Sequence, residues 1–261
     1  MKLISSRDNP RIKLLRRWAT HGRARREDGI LLLDGVHLLD AFLASGGALR
    51  EVVVAAGACS GNEVARWLAS HASVSVLGLT EALFNEIALT ETPTGIIGVG
   101  KREVVVRGPD ASADAILLDG IQDPGNLGTL LRTAAAAGVP QALLGPGCTD
   151  PYSPKSLRAG QGAQFAIRVH ENVDLPGFLA AYSGLRVVTR LDGALPLYDL
   201  KLLAPVAFVF GSEGQGVSPA VSAAVDTGVC IPMAGGIESL NVSAAAAICL
   251  FEMLRQRRLK P

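Results

Sequence analysis

The chain has 261 residues, of which 49% are hydrophobic and 19% are charged, and its formal net charge at pH 7 is +1. This composition excludes a disordered chain, and the length suits either one large domain or two small ones with cores of their own. Apolar runs stay short of the roughly 18 residues that cross a membrane, and basic residues interrupt the N-terminal region where a signal peptide would be apolar. The cysteines and histidines lack the clustering of a zinc site. We therefore expect no metal, free thiols and a cytoplasmic location.

The first hundred residues predict a small α/β unit. A basic helix is expected at about residues 10–20, and Thr80 is placed to cap a helix at 81–89. The other predicted elements are helices after Gly35 and at 62–71, and strands at 30–34, 51–55, 74–77 and 95–99. Strands and helices that alternate at this spacing predict a largely parallel sheet with helical crossovers.

A linker is predicted at residues 101–113, which are charged and polar and contain Gly108-Pro109. Residues 114–261 then predict a second α/β domain with a larger sheet, so the predicted division is 1–100, 101–113 and 114–261. The predicted strands of this domain lie at 116–119, 142–144, 166–169, 186–190, 206–210 and 229–231, and a long helix covers 242–258.

Positive charge is concentrated near the N-terminus, although the chain as a whole is nearly neutral. Residues 1–26 contain nine Lys or Arg and one acidic residue, Asp8. A local basic stripe is typical of a surface that binds the phosphates of a nucleic acid, and a solvated, screened face is an equally weighted alternative. The candidate contacts to such a ligand are Arg7, Arg11, Arg16, Arg17 and Arg25.

Loops that follow predicted strands carry the candidate site, because open α/β sheets bind ligands at the carboxyl ends of their strands. The first loop reads Asp-Pro-Gly-Asn-Leu-Gly over residues 123–128, and its Pro, Gly and Asn strongly favour a turn. The simplest alternative to a functional role is a tight strand-to-helix connection. Asn126 in this loop and Arg132 in the second turn of the next helix can border one pocket. A guanidinium offers a planar five-donor fork that suits a phosphate.

A second loop follows the apolar strand at 206–210 and reads Gly-Ser-Glu-Gly-Gln-Gly over residues 211–216. Its glycines fit neither the dinucleotide fingerprint nor the P-loop, which argues against a Rossmann-type NAD enzyme. Glycines allow a ligand to approach the backbone closely, whereas the alternative is a turn with an exposed Glu213.

A third loop reads Ile-Pro-Met-Ala-Gly-Gly-Ile-Glu-Ser-Leu-Asn-Val-Ser over residues 231–243 and leads into an Ala-rich helix. An Asn or Ser just before a helix is commonly its N-cap. This structural role would explain one of the polar residues of the loop without a function in a site. A fourth segment, residues 153–165, predicts a helix between two strands, with Lys155 and Arg158 either solvated or close to a substrate.

Together, the segments 119–132, 208–216 and 231–243 resemble the three motifs of the SpoU (TrmH-like) family of RNA ribose 2′-O-methyltransferases in order, spacing and flanking strands. That family belongs to the knotted SPOUT superfamily. The resemblance therefore implies a C-terminal Rossmann-like parallel sheet with a deep trefoil knot around residues 206–245. The first hundred residues resemble, more loosely, the ribosomal-protein-like RNA-binding domain that precedes many such catalytic domains.

The resemblance also implies ligands, partners and residue roles. It implies S-adenosylmethionine as cofactor, RNA as substrate, and a homodimer in which a second subunit completes the site. The implied cofactor-binding residues are Phe210, Gly211, Ser212, Gly214, Ile231, Met233 and Leu240, the implied catalytic residues are Arg132, Asn126, Ser239, Asn241 and Glu213, and Lys155 and Arg158 are implied to lie near the RNA. Gly160 stands where the family commonly has Ser, which puts a hydroxyl contribution at that point in doubt.

Ribosomal RNA is the expected substrate, because tRNA-specific relatives generally lack the accessory N-terminal domain. A reaction at a 2′-hydroxyl requires RNA rather than DNA. Two alternatives stay open at this point: tRNA as the substrate, and an RNA-binding or ribosome-assembly protein that has kept the knot and lost turnover.

Overall fold

The computed structural model describes residues 2–60, 62–102, 107–190, 194–235 and 239–258. Part of the predicted linker and residues 236–238 of the third loop lie outside this range. The chain forms two compact units, one of Met1–Val104 with Tyr152–Phe165, the other of Val105–Pro151 with Ala166–Pro261. The predicted α/β class is confirmed. The predicted domain boundaries stay a prediction, and the first unit includes a segment that they assign to the second domain.

The strands are, in chain order, β1 (Lys2–Ile4), β2 (Ile30–Asp34), β3 (Leu49–Ala55), β4 (Val76–Leu79), β5 (Ile96–Lys101), β6 (Ala115–Asp119), β7 (Gln141–Leu144), β8 (Arg168–His170), β9 (Leu185–Thr189), β10 (Leu195–Pro196), β11 (Val206–Gly211) and β12 (Thr227–Cys230). The α-helices are α1 (Pro10–Thr20), α2 (Gly22–Asp28), α3 (Val36–Ala44), α4 (Asn62–Ser70), α5 (Glu81–Ile87), α6 (Pro124–Ala136), α7 (Pro154–Gly160), α8 (Ala163–Ala166), α9 (Leu175–Ala181), α10 (Pro219–Ala223) and α11 (Val242–Arg258).

The first unit contains a five-stranded sheet in the order β1-β4-β3-β5-β2. Strand β4 pairs in parallel with β1 and β3, whereas β5 runs antiparallel to both β2 and β3. The prediction of a largely parallel sheet is therefore wrong for this unit. Alternation of helices and strands indicates how many elements there are, but the direction in which the last strand enters the sheet depends on tertiary packing.

Two apolar clusters cover the two faces of this first sheet. One contains Ile12, Leu15 and Trp18 of α1 together with residues of α5, and the other contains Leu39 and Phe42 of α3 with Trp67 of α4. Residues Tyr152 and Leu157 are buried in the second cluster, and the Phe165 ring meets Phe42 edge-on at 5.2 Å between centroids. This burial explains why residues 152–165 belong to the first unit.

The second unit contains a seven-stranded sheet in the order β10-β12-β9-β11-β6-β7-β8. Every pairing in it is parallel, which confirms the predicted parallel sheet. The central strands β6 and β11 are almost wholly buried, as expected where helices cover both faces. The strand predicted at 166–169 instead begins at Arg168, after the short helix α8. The trefoil knot stays a prediction.

Helix α11 is anchored to the start of this sheet through Arg257. Its guanidinium donates Nη1 and Nη2 hydrogen bonds to the two carboxylate oxygens of Asp114, at 2.5 and 2.9 Å, and further bonds to the carbonyls of Leu202 and Ala204. The bond with Asp114 raises the pKa of Arg257 above its usual range. Asp114 also accepts the backbone N–H of Val206, so one ion pair holds the last helix and the strands β6 and β11 together.

We expect Arg257→Ala to lower the free energy of unfolding by about 3 kcal/mol, because it leaves a largely buried carboxylate without its partner. Arg257→Lys should recover only part of this loss, since Lys cannot form the two-pronged bond. Urea denaturation measures the change, with Arg23→Ala as the control because Arg23 forms an exposed helical pair with Glu27. A loss no larger than that of the control would show that the Asp114 pair does not hold the helix.

Candidate active site

A pocket of about 530 Å³ opens at the carboxyl ends of β9, β11 and β12 in the second unit. This volume lies within the roughly 300–1,000 Å³ range of small-molecule sites. Its walls combine apolar side chains with a few polar ones. The lining residues are Thr189, Arg190, Gly211, Ser212, Glu213, Gly216, Val217, Val229, Cys230, Ile231, Met233, Ser239, Leu240, Asn241, Val242 and Ala245.

The predicted cofactor residues lie largely in this lining. Gly211, Ser212, Ile231, Met233 and Leu240 belong to it. Phe210 and Gly214 do not: the Phe210 side chain is fully buried in the sheet, and Gly214 lies at an exposed point of the loop. The predicted catalytic residues divide in the same way, because Glu213, Ser239 and Asn241 line the pocket and Asn126 and Arg132 lie outside it. The roles of all these residues stay predictions.

The second loop folds into a tight turn at the end of β11. Ser212 and Gly216 exchange backbone hydrogen bonds of 3.1 and 2.9 Å, and Gly216 adopts a φ of 66°. A Cβ placed on Gly211 would lie 2.1 Å from the carbonyl carbon of Gly216 and 2.3 Å from the backbone nitrogen of Val217. The turn therefore requires glycine at 211, because the contacting atoms are backbone and cannot move aside.

Asn126 lies in the first turn of α6 rather than in a loop, because the helix already begins at Pro124, and its side-chain amide joins this turn to the second and third loops. Its Nδ2 donates to Glu213 Oε1 in the second loop. Its Oδ1 accepts from Asn241 Nδ2 at 3.1 Å and from Ser243 Oγ at 3.4 Å, both from the third loop and the helix that follows it. Ser243 Oγ also lies 3.2 Å from the Asn126 carbonyl oxygen. Donor and acceptor ends of one amide are thus matched to partners of the opposite kind, which fixes the orientation of the amide.

Two helix caps hold this network in place. Asp123 caps α6 by accepting the backbone N–H of Asn126 at 2.8 Å, and Asn241 caps α11 by accepting the backbone N–H of Ser243 at 2.9 Å. The N-cap alternative for Asn241 is therefore correct, and the same side chain also reaches Asn126. Ser243 is a member of the network that the sequence prediction missed. Its signal was its place in the third motif, two residues after Asn241.

Arg132 lies on the exposed side of α6, about six residues along the helix from Asn126. The opposite side of α6 is buried, with Leu127, Leu130 and Leu131 in the core. Among the described residues, Arg132 has no hydrogen bond or ion pair. Its guanidinium is therefore available to an external group.

The predicted RNA contacts near the N-terminus are mostly paired with carboxylates of the first unit. Arg7 and Arg16 both bind Glu86, and Arg11 binds Glu51. Arg17 is half exposed and lies 3.8 Å from Glu27. Arg25 is only 7% exposed, and its guanidinium donates to the Trp18 carbonyl at 2.5 Å, so its position corresponds to a structural role. The exposed members of the set, Arg7 above all, are the ones placed to meet a ligand.

The fourth segment forms two short helices rather than the single helix predicted, because Gln161 adopts a left-handed backbone with φ 49°. Lys155 and Arg158 are exposed on α7, and the Arg158 guanidinium lies 3.9 Å from Asp34. A Cβ at Gly160 would lie 2.4 Å from the side-chain oxygen of Gln164. The glycine therefore makes room for Gln164, which donates to the Ser156 carbonyl at 2.9 Å.

Thiol chemistry is disfavoured at two of the cysteines. Burial raises the pKa of the Cys249 thiol to about 12, and burial also raises the pKa of Cys148. Both thiols are therefore protonated near neutral pH and unsuited to act as nucleophiles. The described residues bring together no group of three His, Cys, Asp or Glu side chains suited to a metal ion. Of the helices in the described ranges, none is both long and apolar enough to cross a membrane.

The second unit is thus a parallel α/β domain with a pocket of mixed apolar and polar lining at its strand ends, and a polar network and an exposed arginine lie at the same end of the sheet. Residues 114–251 match the SpoU rRNA methylase family, and residues 9–98 match the MRM3-like substrate binding domain. The chain belongs to the SpoU rRNA methylase family, which confirms the family predicted from the three motifs.

Relatives match the chain over nearly its whole length. The 23S rRNA (guanosine(2553)-2′-O)-methyltransferase RlmP of Bacillus subtilis is 31% identical over 256 residues, which cover 97% of this chain and 99% of that protein. A crystal structure of an RNA 2′-O ribose methyltransferase superposes with a TM-score of 0.85 and 31% identity, over 99% of this chain and 100% of that one. An AdoMet-bound rRNA methyltransferase from Sinorhizobium meliloti superposes with a TM-score of 0.82 and 28% identity, over 100% and 99%.

We expect Gly211→Ala to lower the free energy of unfolding by about 1–3 kcal/mol, because its methyl group collides with backbone atoms of the turn. Gly214→Ala is the matched control in the same loop, since a Cβ there meets nothing within 4 Å. Chemical denaturation of both variants measures the difference. Equal stabilities would contradict the packing assigned to Gly211.

Proposed function

We propose that the chain is an S-adenosylmethionine-dependent methyltransferase that modifies a ribose 2′-hydroxyl in ribosomal RNA. The observation that carries this proposal is the network of Asn126, Glu213, Asn241 and Ser243, which brings the three family motifs together beside the pocket. Membership of the SpoU family and the full-length similarity to RlmP support the reaction and the RNA class.

The pocket fits S-adenosylmethionine in size and in chemistry. Ile231, Met233 and Leu240 supply an apolar wall for the adenine, while the glycine backbone of the second loop allows a ligand to approach closely. The polar side chains of Ser212 and Glu213 belong to the same lining. When bound, this cofactor supplies a methyl group that its sulfonium has already activated.

The protein residues then have to align the ribose and allow one proton to leave. The 2′-oxygen forms a bond to the methyl carbon while the carbon–sulfur bond breaks, so alignment is the main requirement. We assign Ser239 and Asn241 to orientation of the ribose, and Asn126 and Glu213 to the order of the loops around it. Arg132 binds the adjacent phosphate and polarises the hydroxyl. Water or a neighbouring residue takes the proton, because a guanidinium rarely releases one in a protein.

The substrate surface is assigned to the first unit. Its match to the MRM3-like substrate binding domain supports this role. Of its basic residues, Arg7, Arg17, Lys155 and Arg158 are exposed enough to meet phosphates. A ribosomal RNA substrate also supports the cytoplasmic location expected from the sequence.

A homodimer is the proposed working form. The second unit exposes large apolar side chains at Leu195, Tyr198, Leu203, Leu240 and Phe251. A contiguous apolar patch is typical of a surface that another chain covers, and we propose Phe251 as part of such a patch. The resemblance to SPOUT enzymes, whose sites a second subunit usually completes, supports the same arrangement. The exposed position of Arg132 agrees with it, because a site shared between subunits needs catalytic groups at the surface.

Methyl transfer in vitro tests the proposed reaction. Purified protein and S-adenosylmethionine are incubated with total RNA from a strain that lacks this gene, the rRNA and tRNA are separated, and their nucleosides are analysed by mass spectrometry. We expect a new 2′-O-methyl nucleoside in rRNA and a decrease of about a hundredfold or more with Arg132→Ala. Arg132→Lys should also be poorly active, since Lys lacks the bidentate fork.

Each other result has a defined meaning. Near-normal turnover by Arg132→Lys would show that neither role assigned to Arg132, phosphate binding or polarisation of the hydroxyl, is correct. Product in tRNA alone would support the proposed reaction and show that the substrate is tRNA rather than rRNA. An absence of product in both pools, with the cofactor still bound, would favour an RNA-binding or assembly protein that no longer turns over.

The dimer is tested by Phe251→Glu. We expect this variant to be monomeric at micromolar concentration, because a carboxylate is costly to bury in an apolar interface. Light scattering coupled to gel filtration measures the mass, and Leu3→Glu is the control because Leu3 is a similarly exposed apolar residue of the first unit. A wild-type monomer, or a Phe251→Glu dimer, would refute this interface.

A further inference from the structure

Arg190 directly follows β9, is exposed, and is one of the residues that line the pocket. Its backbone N–H donates to the Val229 carbonyl at 3.0 Å, which ties the residue to β12. Within the described ranges, its guanidinium forms no hydrogen bond or ion pair. The residue is not part of the three sequence motifs, and its role is not explained by the reaction chemistry above.

Gly228 of β12 provides the space in which this guanidinium lies. A Cβ on Gly228 would lie 2.0 Å from Arg190 Nε, 2.7 Å from Cζ and 2.8 Å from Nη2. Gly228 is itself buried. The arginine side chain therefore lies flat over the glycine, on the β12 side of β9.

Glu213 is the second charged residue of the described lining. It follows β11, which is the opposite neighbour of β9 in the sheet, and it binds the Asn126 amide. The lining thus carries one positive and one negative side chain, which follow the neighbouring strands β9 and β11. The apolar residues Val229, Ile231 and Met233 belong to the same lining.

We propose that Arg190 binds the α-carboxylate of the methionine part of S-adenosylmethionine. This inference rests on the proposed function. The ligand carries one carboxylate beside two cationic centres, its sulfonium and its ammonium, so a guanidinium in the lining attracts the carboxylate and repels the two cations. Arginine is suited to this task because its fork matches both oxygens of a carboxylate. The carboxylate of Glu213 then attracts the cationic centres of the ligand.

Calorimetric titration with two ligands isolates this contact. S-adenosylhomocysteine contains the amino-acid carboxylate, whereas 5′-methylthioadenosine keeps the adenosine and the sulfur but lacks the amino-acid tail. We expect Arg190→Gln to lower the affinity for S-adenosylhomocysteine by about ten- to a hundredfold, because a charged hydrogen-bonded contact is lost. The affinity for 5′-methylthioadenosine should stay unchanged within about twofold. Arg190→Lys should recover part of the loss, because it restores the charge without the fork.

Two further variants serve as a probe and a control. Gly228→Ala keeps Arg190 but displaces its guanidinium. It should therefore also lower the affinity for S-adenosylhomocysteine and leave the affinity for 5′-methylthioadenosine unchanged. Arg186→Gln removes an arginine from the same strand that is paired with Asp226 at 2.7 Å and lies outside the pocket, and it should affect neither ligand. Thermal unfolding of each variant confirms that it is folded before titration.

Other patterns of binding would overturn the inference. Equal losses for both ligands would place Arg190 against the adenosine or in support of the pocket. Unchanged affinity for both ligands, with a raised KM for RNA, would assign Arg190 to the RNA. Failure of the wild-type protein to bind either ligand would refute the proposed function itself, and this result is distinct from a variant that loses one ligand only.

Discussion

The candidate site depends on one side-chain amide. Asn126 is separated by 87 residues from Glu213 and by 115 from Asn241, yet its two ends hydrogen-bond to both. The amide offers a donor to the carboxylate and an acceptor to the amide and hydroxyl of the third motif. An aspartate of the same size would present an acceptor to Glu213, and an apolar residue would leave several polar groups unsatisfied. Three distant parts of the chain are therefore held in one arrangement. Compared with an aspartate or an apolar residue, only asparagine forms all of these hydrogen bonds at position 126.

The sheet makes this convergence possible. Gly211 and Asp119 are paired in register at the carboxyl ends of β11 and β6, so the second loop starts beside the first. Asp119 strengthens this placement by accepting the backbone N–H of Ser218 at 2.7 Å. Below the loops, β6 and β11 are packed on both faces, and the Arg257–Asp114 pair closes the opposite end of the same strands. Rigid strands thus position the loops that carry the polar network and the pocket lining.

Much of the second unit was predictable from sequence, because its strands are continuous apolar runs that end in Gly- and Pro-rich loops. Helix α11 begins and ends at the predicted residues, and five of the seven predicted cofactor residues line the pocket. Arg190 and Ser243 were not predicted, since one depends on a cross-strand glycine and the other on a contact 117 residues away. In the first unit, the count of basic residues overstated the surface free for RNA. Which arginines pair with Glu51 and Glu86 is decided by tertiary structure alone.

The segment 152–165 gives the first unit a core that is discontinuous in sequence. Tyr152 and Leu157 are buried in the same cluster as Leu39 and Trp67, although two strands of the second unit, β6 and β7, precede them in the sequence. During synthesis, domains generally fold in order from the N-terminus. Here the first unit cannot complete its core until residues well beyond the predicted linker have left the ribosome. Its folding is therefore coupled to the synthesis of the second unit, and a cut at residues 101–113 would not yield two fragments that correspond to the two units.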